Sequence, residues 1–225
     1  MKIHRILPII LVAIIVVACA PAPDLRDDSF LNDTSLISGT PCEAPCWQNL
    51  IPGETVWGIA QDTITANEDY VEIASDFDRR TGESWIEFAY KDGLKCCRIY
   101  TNDGENLTSI LLLLAPQMTV VEVVERFGEP IYITAQAETS DQAYVALIYP
   151  DIAMVVYAFA ENITSSEIQG TNDVVGVVYM ASSEMDNLLQ TQNLYNWDGY
   201  GVLGDFIDGS FDITPIPQSE NEATE

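Results

Sequence analysis

Met118-Thr119-Val120-Val121-Glu122-Val123-Val124-Glu125-Arg126-Phe127-Gly128-Glu129-Pro130 contains the start, body and stop of one helix. Thr119 is placed to cap it, Glu122 three positions on completes a capping box, and Met118 and Val123 have the spacing of a hydrophobic staple. Gly128 followed by Pro130 marks the end. At an offset of 64 residues, Leu50-Ile51-Pro52-Gly53-Glu54-Thr55-Val56-Trp57-Gly58-Ile59 aligns with Leu114-Ala115-Pro116-Gln117-Met118-Thr119-Val120-Val121-Glu122-Val123, sharing Leu, Pro, Thr and Val. This weak repeat predicts an earlier helix from Thr55 to about Thr65, with Asn67 in its C-terminal turn.

Four strand-like runs follow each helix. They are Tyr70–Ser75, Ser84–Tyr90, Leu94–Tyr100 and Leu107–Leu114, then Ile131–Gln136, Ala143–Tyr149, Ile152–Phe159 and Val174–Met180. Lys91-Asp92-Gly93, Asn102-Asp103-Gly104 and Pro150-Asp151 supply the tight turns between them. Trp85-Ile86-Glu87-Phe88 and Lys95-Cys96-Cys97-Arg98 mix polar with apolar residues, as a half-exposed sheet does. Ile110–Leu114 and Ile152–Phe159 are continuously apolar and predict burial on both faces. The expected fold class is therefore α+β: two tandem α-β-β-β-β units with antiparallel sheets, each covered by a helix. An unrelated β-sandwich is the competing architecture.

The pattern Leu114-x3-Met118-Thr119-x3-Val123-x3-Phe127-Gly128-x-Pro130 resembles the helix signature of the BamE/SmpA lipoprotein family. Tandem helix-plus-meander units are similar to the architecture of β-lactamase-inhibitory protein. Both resemblances imply action by binding partners. Pro41-Cys42-x-x-Pro45-Cys46-Trp47 is also similar to an element of exported bacterial lipoproteins.

At the N-terminus, Lys2 and Arg5 precede Ile6 to Ala18, an apolar run interrupted only by Pro8. It is too short for a hydrocarbon core, which needs about 20 helical residues, and has the length of a secretory leader. Val16-Val17-Ala18-Cys19 resembles the bacterial lipobox, which implies that residues 1–18 are removed and Cys19 is acylated. Acyl chains contribute about 0.8 kcal/mol per buried CH₂ to membrane attachment. The expected organisation is a signal peptide (1–18), a lipidated flexible tether (19–40), a first α+β unit (41–115) and a second (116–182). A C-terminal arm (183–213) and a disordered tail (214–225) complete it.

The 225 residues carry 9 Lys plus Arg against 35 Asp plus Glu, a formal charge of −26, with 48% apolar residues and a single histidine. Such a charge repels the phosphate backbone that nucleic-acid binders must neutralise, so no nucleic-acid partner is expected. The histidine, His4, lies in the leader. A chain without it has no Ser-His-Asp triad, no Cys-His dyad and no imidazole ligand.

Beyond Cys19, four cysteines remain: Cys42, Cys46, Cys96 and Cys97. An even number in an exported chain favours disulfides. Cys96 and Cys97 are adjacent in a strand, and alternation points their side chains to opposite faces, so at least one bond is expected between the Cys42/Cys46 loop and strand 94–100. Cys-x3-Cys with Cys-Cys suits neither a tetrahedral zinc site nor a Cys-x-x-Cys redox pair.

Asp198, Asp205, Asp208 and Asp212 lie among glycines and aromatics without EF-hand order, and read as solvated turn acids. Tyr195, Trp197, Tyr200 and Phe206 read as a clamp holding the C-terminal arm to the sheet, with a sugar-stacking platform as the alternative. Arg79, Arg80, Lys91, Lys95 and Arg98, interleaved with Glu83, Glu87 and Asp92, predict cross-strand ion pairs. No catalytic set, metal site or cofactor emerges. The function expected is that of a lipid-anchored, extracytoplasmic bacterial envelope lipoprotein of non-enzymatic type that binds an envelope or extracellular protein or peptide. The alternatives are an ion- or carbohydrate-binding module and a carboxylate-dependent hydrolase.

Overall fold

In a computed structural model, residues 24–139, 142–162 and 166–203 are described. The leader, Cys19 and the 214–225 tail lie outside them, as do Asp205, Phe206, Asp208 and Asp212. One antiparallel sheet of nine strands dominates. Strands β1 (Tyr70–Phe77), β2 (Ser84–Tyr90), β3 (Lys95–Thr101) and β4 (Ser109–Leu113) follow helix α2 (Trp57–Ala66). Strands β5 (Tyr132–Ala137), β6 (Ala143–Tyr149), β7 (Met154–Ala160) and β9 (Val174–Met180) follow α3 (Val120–Phe127). The spatial order is β1-β2-β3-β4-β9-β7-β6-β5-β10, where β10 is the short pair Tyr195–Asn196 on β5. The seam between the two sets is β4 against β9, with Leu111 opposite Val178. A small ribbon pairs β8 (Glu167–Ile168) with β11 (Gly201–Val202). A two-sheet sandwich is thereby excluded.

The main core lies on one face. Ile86, Phe88, Ile99, Ile110, Leu112, Val177, Tyr179, Val156, Leu147 and Ile133 project there from successive strands. Trp57, Ala60 and Ile64 of α2 and Val120 and Val123 of α3 cover them. Helix α3 has the predicted cap: the Glu122 carboxylate accepts from the Thr119 N–H at 2.8 Å and from its hydroxyl at 2.7 Å. Helix α2 starts two residues later than expected. Val56 is its N-cap, and Thr55 instead accepts from the Ile51 N–H at 2.8 Å, closing the preceding turn.

Of the expected tether (19–40), the described residues 24–40 are not a loose coil. Leu31 and Leu36 are buried in the main core, the second within a one-turn helix α1 (Ser35–Ser38). The Leu31 N–H donates to Leu113 O, and Leu31 O accepts from the Ala115 N–H. Apolar burial of this size outweighs the polar composition that suggested a coil.

The other face is only partly covered. Helix α4 (Ser182–Thr191) occupies the start of the expected C-terminal arm (183–213), and sets Met185 and Leu188 against Ala146, Ile148, Val155 and Met180. Strands β6 and β7, sandwiched between the two layers, are buried almost throughout. Strand β4 is not. Ile110 and Leu112 are buried, but Leu111 and Leu113 are half-exposed, so the expected two-sided burial of β4 is corrected to one-sided.

Candidate binding face

Register alone assembles this face. Across β2, β3, β4, β9, β7 and β6, Glu87, Arg98, Leu111, Val178, Val155 and Ile148 stand opposite one another in a row. A neighbouring row runs Trp85, Tyr100, Ser109, Met180. On the other side, Leu113, Gly176, Tyr157, Ala146 and Thr134 are aligned. The β6–β7–β9 end of the first row lies beneath α4, and the β2–β4 end carries no helix.

Arg98 organises the uncovered end. Its guanidinium carbon lies 5.1 Å from the Trp85 ring centroid and 5.7 Å from that of Tyr100, distances at which cation–π attraction operates. It donates to the Tyr100 hydroxyl at 2.8 Å and to the Glu87 carboxylate. Lys95 Nζ is 3.1 Å from the same carboxylate. The Arg98 hydrogen bond, followed by that from Lys95, holds the Glu87 carboxyl below the usual range for its type, against the opposing effect of its partial burial. Of the basic residues read as cross-strand partners, Lys95 and Arg98 form such pairs, both with Glu87, while Arg80 makes a local pair with Asp78 at 3.8 Å.

On the covered end, Tyr144 and Tyr157 meet edge to face with centroids 5.4 Å apart. Burial raises both phenol pKa values. Between this pair and α4 lies a cavity of about 410 Å³, within the range of about 300–1,000 Å³ typical of ligand sites. Its floor is Ala146, Val155 and Val178, and its helical wall includes Glu184, Asn187, Leu188 and Thr191.

The cysteines do not join this face, and they correct the expected pairing. Cys42 bonds Cys46 within its own loop, and Cys96 bonds Cys97, so no bond ties the loop to the strand. Alternation misled because Cys96 is the extra residue of a β-bulge: Phe88 pairs with Cys97 while Ala89 pairs with Lys95. A bulge suspends strict side-chain alternation, and both sulfurs enter the main core.

Tyr195 and Trp197 pack against the main core, and Trp197 meets Tyr200 edge to face with centroids 5.5 Å apart. Together with β10 on β5 this clamps the described part of the C-terminal arm. Asp198 is exposed. Among the described residues no group of three or more His, Cys, Asp or Glu is arranged to hold a metal ion, and no helix is long and apolar enough to cross a membrane. Sequence reasoning missed α4 and hence the cavity, although Met185, Leu188 and Leu189 have helical spacing. The chain matches no family model, no curated protein and no solved structure.

Proposed function

We propose that this is a lipid-anchored, extracytoplasmic bacterial lipoprotein of non-enzymatic type, which binds a protein or peptide on the open face of its sheet. The observation that carries the binding reading is β4. Leu111 and Leu113 are only half-buried near the centre of a nine-stranded sheet, between β3, which carries no helix, and β9, which lies beneath α4, with Tyr100 on β3 and Tyr157 on β7. Aromatic and Arg side chains arrayed around an apolar centre are the composition of protein-binding surfaces. The anchor rests on the lipobox resemblance at Cys19.

We also read the body as two copies of one α-β-β-β-β unit. Strand order supports this, since β1-β2-β3-β4 and β5-β6-β7-β9 meet through their last strands. Matching hydrogen bonds add support. Leu107 N–H donates to Thr55 O just before β4, and Val174 N–H donates to Met118 O at the start of β9. Trp57 N–H likewise donates to Glu105 O, and Val120 N–H to Asn172 O. The helix N-caps, Val56 and Thr119, are one residue closer than the sequence alignment places the two threonines.

The test of the binding reading is a photo-crosslinking amino acid at Leu111 in whole cells, compared with one at the exposed Glu125 of α3 on the opposite layer. A discrete product from Leu111 alone is expected. Equal yields from both positions, or none from either, would remove the reading. For the anchor, Cys19→Ser should abolish acyl labelling and release the protein into the aqueous phase of a detergent split. Unchanged partitioning would remove that part.

A further inference from the structure

We infer that the groove between α4 and strands β6, β7 and β9 takes a cationic peptide segment bearing large apolar side chains. This goes beyond the binding reading above, at the covered end of the same sheet face. Three observations carry it: shape, floor and charge.

The groove encloses about 410 Å³, which suits inserted side chains better than a flat contact does. Its floor offers aliphatic groups, with Val155 and Ala146 buried and Val178 half-buried. The Tyr144–Tyr157 pair forms an aromatic wall. An apolar side chain laid there would remove its own surface and the accessible parts of Val178, Tyr144 and Tyr157 from water at about 25 cal/mol per Å².

The rim fixes the sign of the partner. No residue lining the groove is Lys or Arg, whereas Glu184 lines it. The Glu184 carboxylate is held in place by the Asn102 side-chain amide, which donates to it at 2.9 Å from the far side of the seam. Helix α4, which walls the groove, has no basic residue. The nearest cations of the same sheet face, Lys95 and Arg98, are engaged by Glu87. With a chain charge of −26 behind this rim, an anionic segment is repelled and a cationic one is steered in.

The experiment uses the full chain in nanodiscs of zwitterionic phosphatidylcholine, with empty discs subtracted. The probe is an eight-residue peptide alternating Lys with Leu or Phe, beside analogues carrying Glu for Lys or Ser for the apolar residues. Fluorescence anisotropy reads affinity, and hydrogen exchange reads protection in α4 and β6–β7. The Lys–Leu/Phe peptide is expected to bind and to protect those segments, and both analogues to bind at least about tenfold more weakly. E184K should weaken binding by about threefold or more and flatten its salt dependence. E125K, the same charge change on the opposite layer, should leave affinity within about twofold. Thr191→Trp, at an exposed position of the groove wall, should block binding while leaving the thermal transition unchanged. Equal affinity for the Lys and Glu peptides, no effect of Thr191→Trp, or protection elsewhere would overturn the inference. A Leu111 crosslink that persists alongside such a result would leave the open face as a binding surface, whereas loss of that crosslink alone would remove the wider reading.

Discussion

The indole N–H of Trp47 donates to a carboxylate oxygen of Asp33 at 2.8 Å, tying a wholly buried ring to the segment that precedes the first long helix. The other Asp33 oxygen accepts from the Ser35 N–H at 2.6 Å and so starts α1. Trp47 in turn lies over Tyr70 and Phe88, with ring centroids 6.1 and 6.2 Å away. One carboxylate thus links the N-terminal segment to the aromatic centre of the core.

Asp33→Ala should therefore destabilise the protein by about 1–3 kcal/mol, because a buried indole donor loses its acceptor. Leu31→Ala, at a site 4% exposed, should cost about 2–5 kcal/mol. Urea midpoints at constant slope measure both. Changes below about 0.5 kcal/mol in each variant would mean that this segment is not part of the cooperative unit.

The Glu122 cap predicts a pH dependence. Hydrogen bonds from the Thr119 hydroxyl and N–H hold its carboxyl below its ordinary value of 4.5. Its contribution is then complete above that pH and fades as pH falls through the lower value of the folded state. The site is exposed, so solvent screening keeps the effect small. Glu122→Ala should cost about 0.5 kcal/mol at neutral pH, and the difference from the parent protein should shrink below about pH 4.5. A difference that grows on acidification would contradict the cap.

Tyr70 predicts the alkaline limb. Burial, followed by the charge of Asp33, pushes its phenol up to about 12. Burial also raises Tyr149 and Tyr179. Because the folded state keeps these protons longer than the unfolded chain, their contribution is complete below the ordinary value of 10.0 and is lost as pH climbs towards the folded values. Ultraviolet titration should show a late fraction of the ten tyrosines ionising near pH 12 or with unfolding. In Tyr70→Phe the loss of stability between about pH 10 and 12 should be smaller.

Peptide mapping without reduction should recover Cys42 joined to Cys46 and Cys96 joined to Cys97. A peptide containing Cys42 or Cys46 crosslinked to one from 94–101 would contradict the structure. Replacing Cys96 and Cys97 together by Ala should leave the main core folded, with the loss of two buried side chains as its cost.

The strands were legible because turn residues and apolar runs carry local signals. Gly93 and Gly104 stand in turns as read, and β2, β6 and β9 have the bounds expected of them. Helix α3 was legible for the same reason, since Thr119, Glu122 and Gly128 act within a few residues of one another. What failed depended on distant partners. Leu111 and Leu113 look like fully buried core residues in sequence, and only the placement of α4 over β6, β7 and β9 shows that no helix covers them. The bulge at Cys96 is set by pairing with Phe88 and Ala89, which no inspection of Lys95-Cys96-Cys97-Arg98 reveals. The binding groove escaped for want of the helix that walls it.

The β4–β9 seam has a consequence for how the chain emerges from the ribosome. Leu113 is made well before its opposite residue, Gly176, and at about 5–20 residues per second the intervening stretch takes roughly 3 to 13 seconds to synthesise. Throughout that interval β4 is a bare edge whose Ile110 and Leu112 have neighbours on one side only, an invitation to pair with another nascent chain. Whatever escorts the polypeptide must shield that strand until its mate arrives.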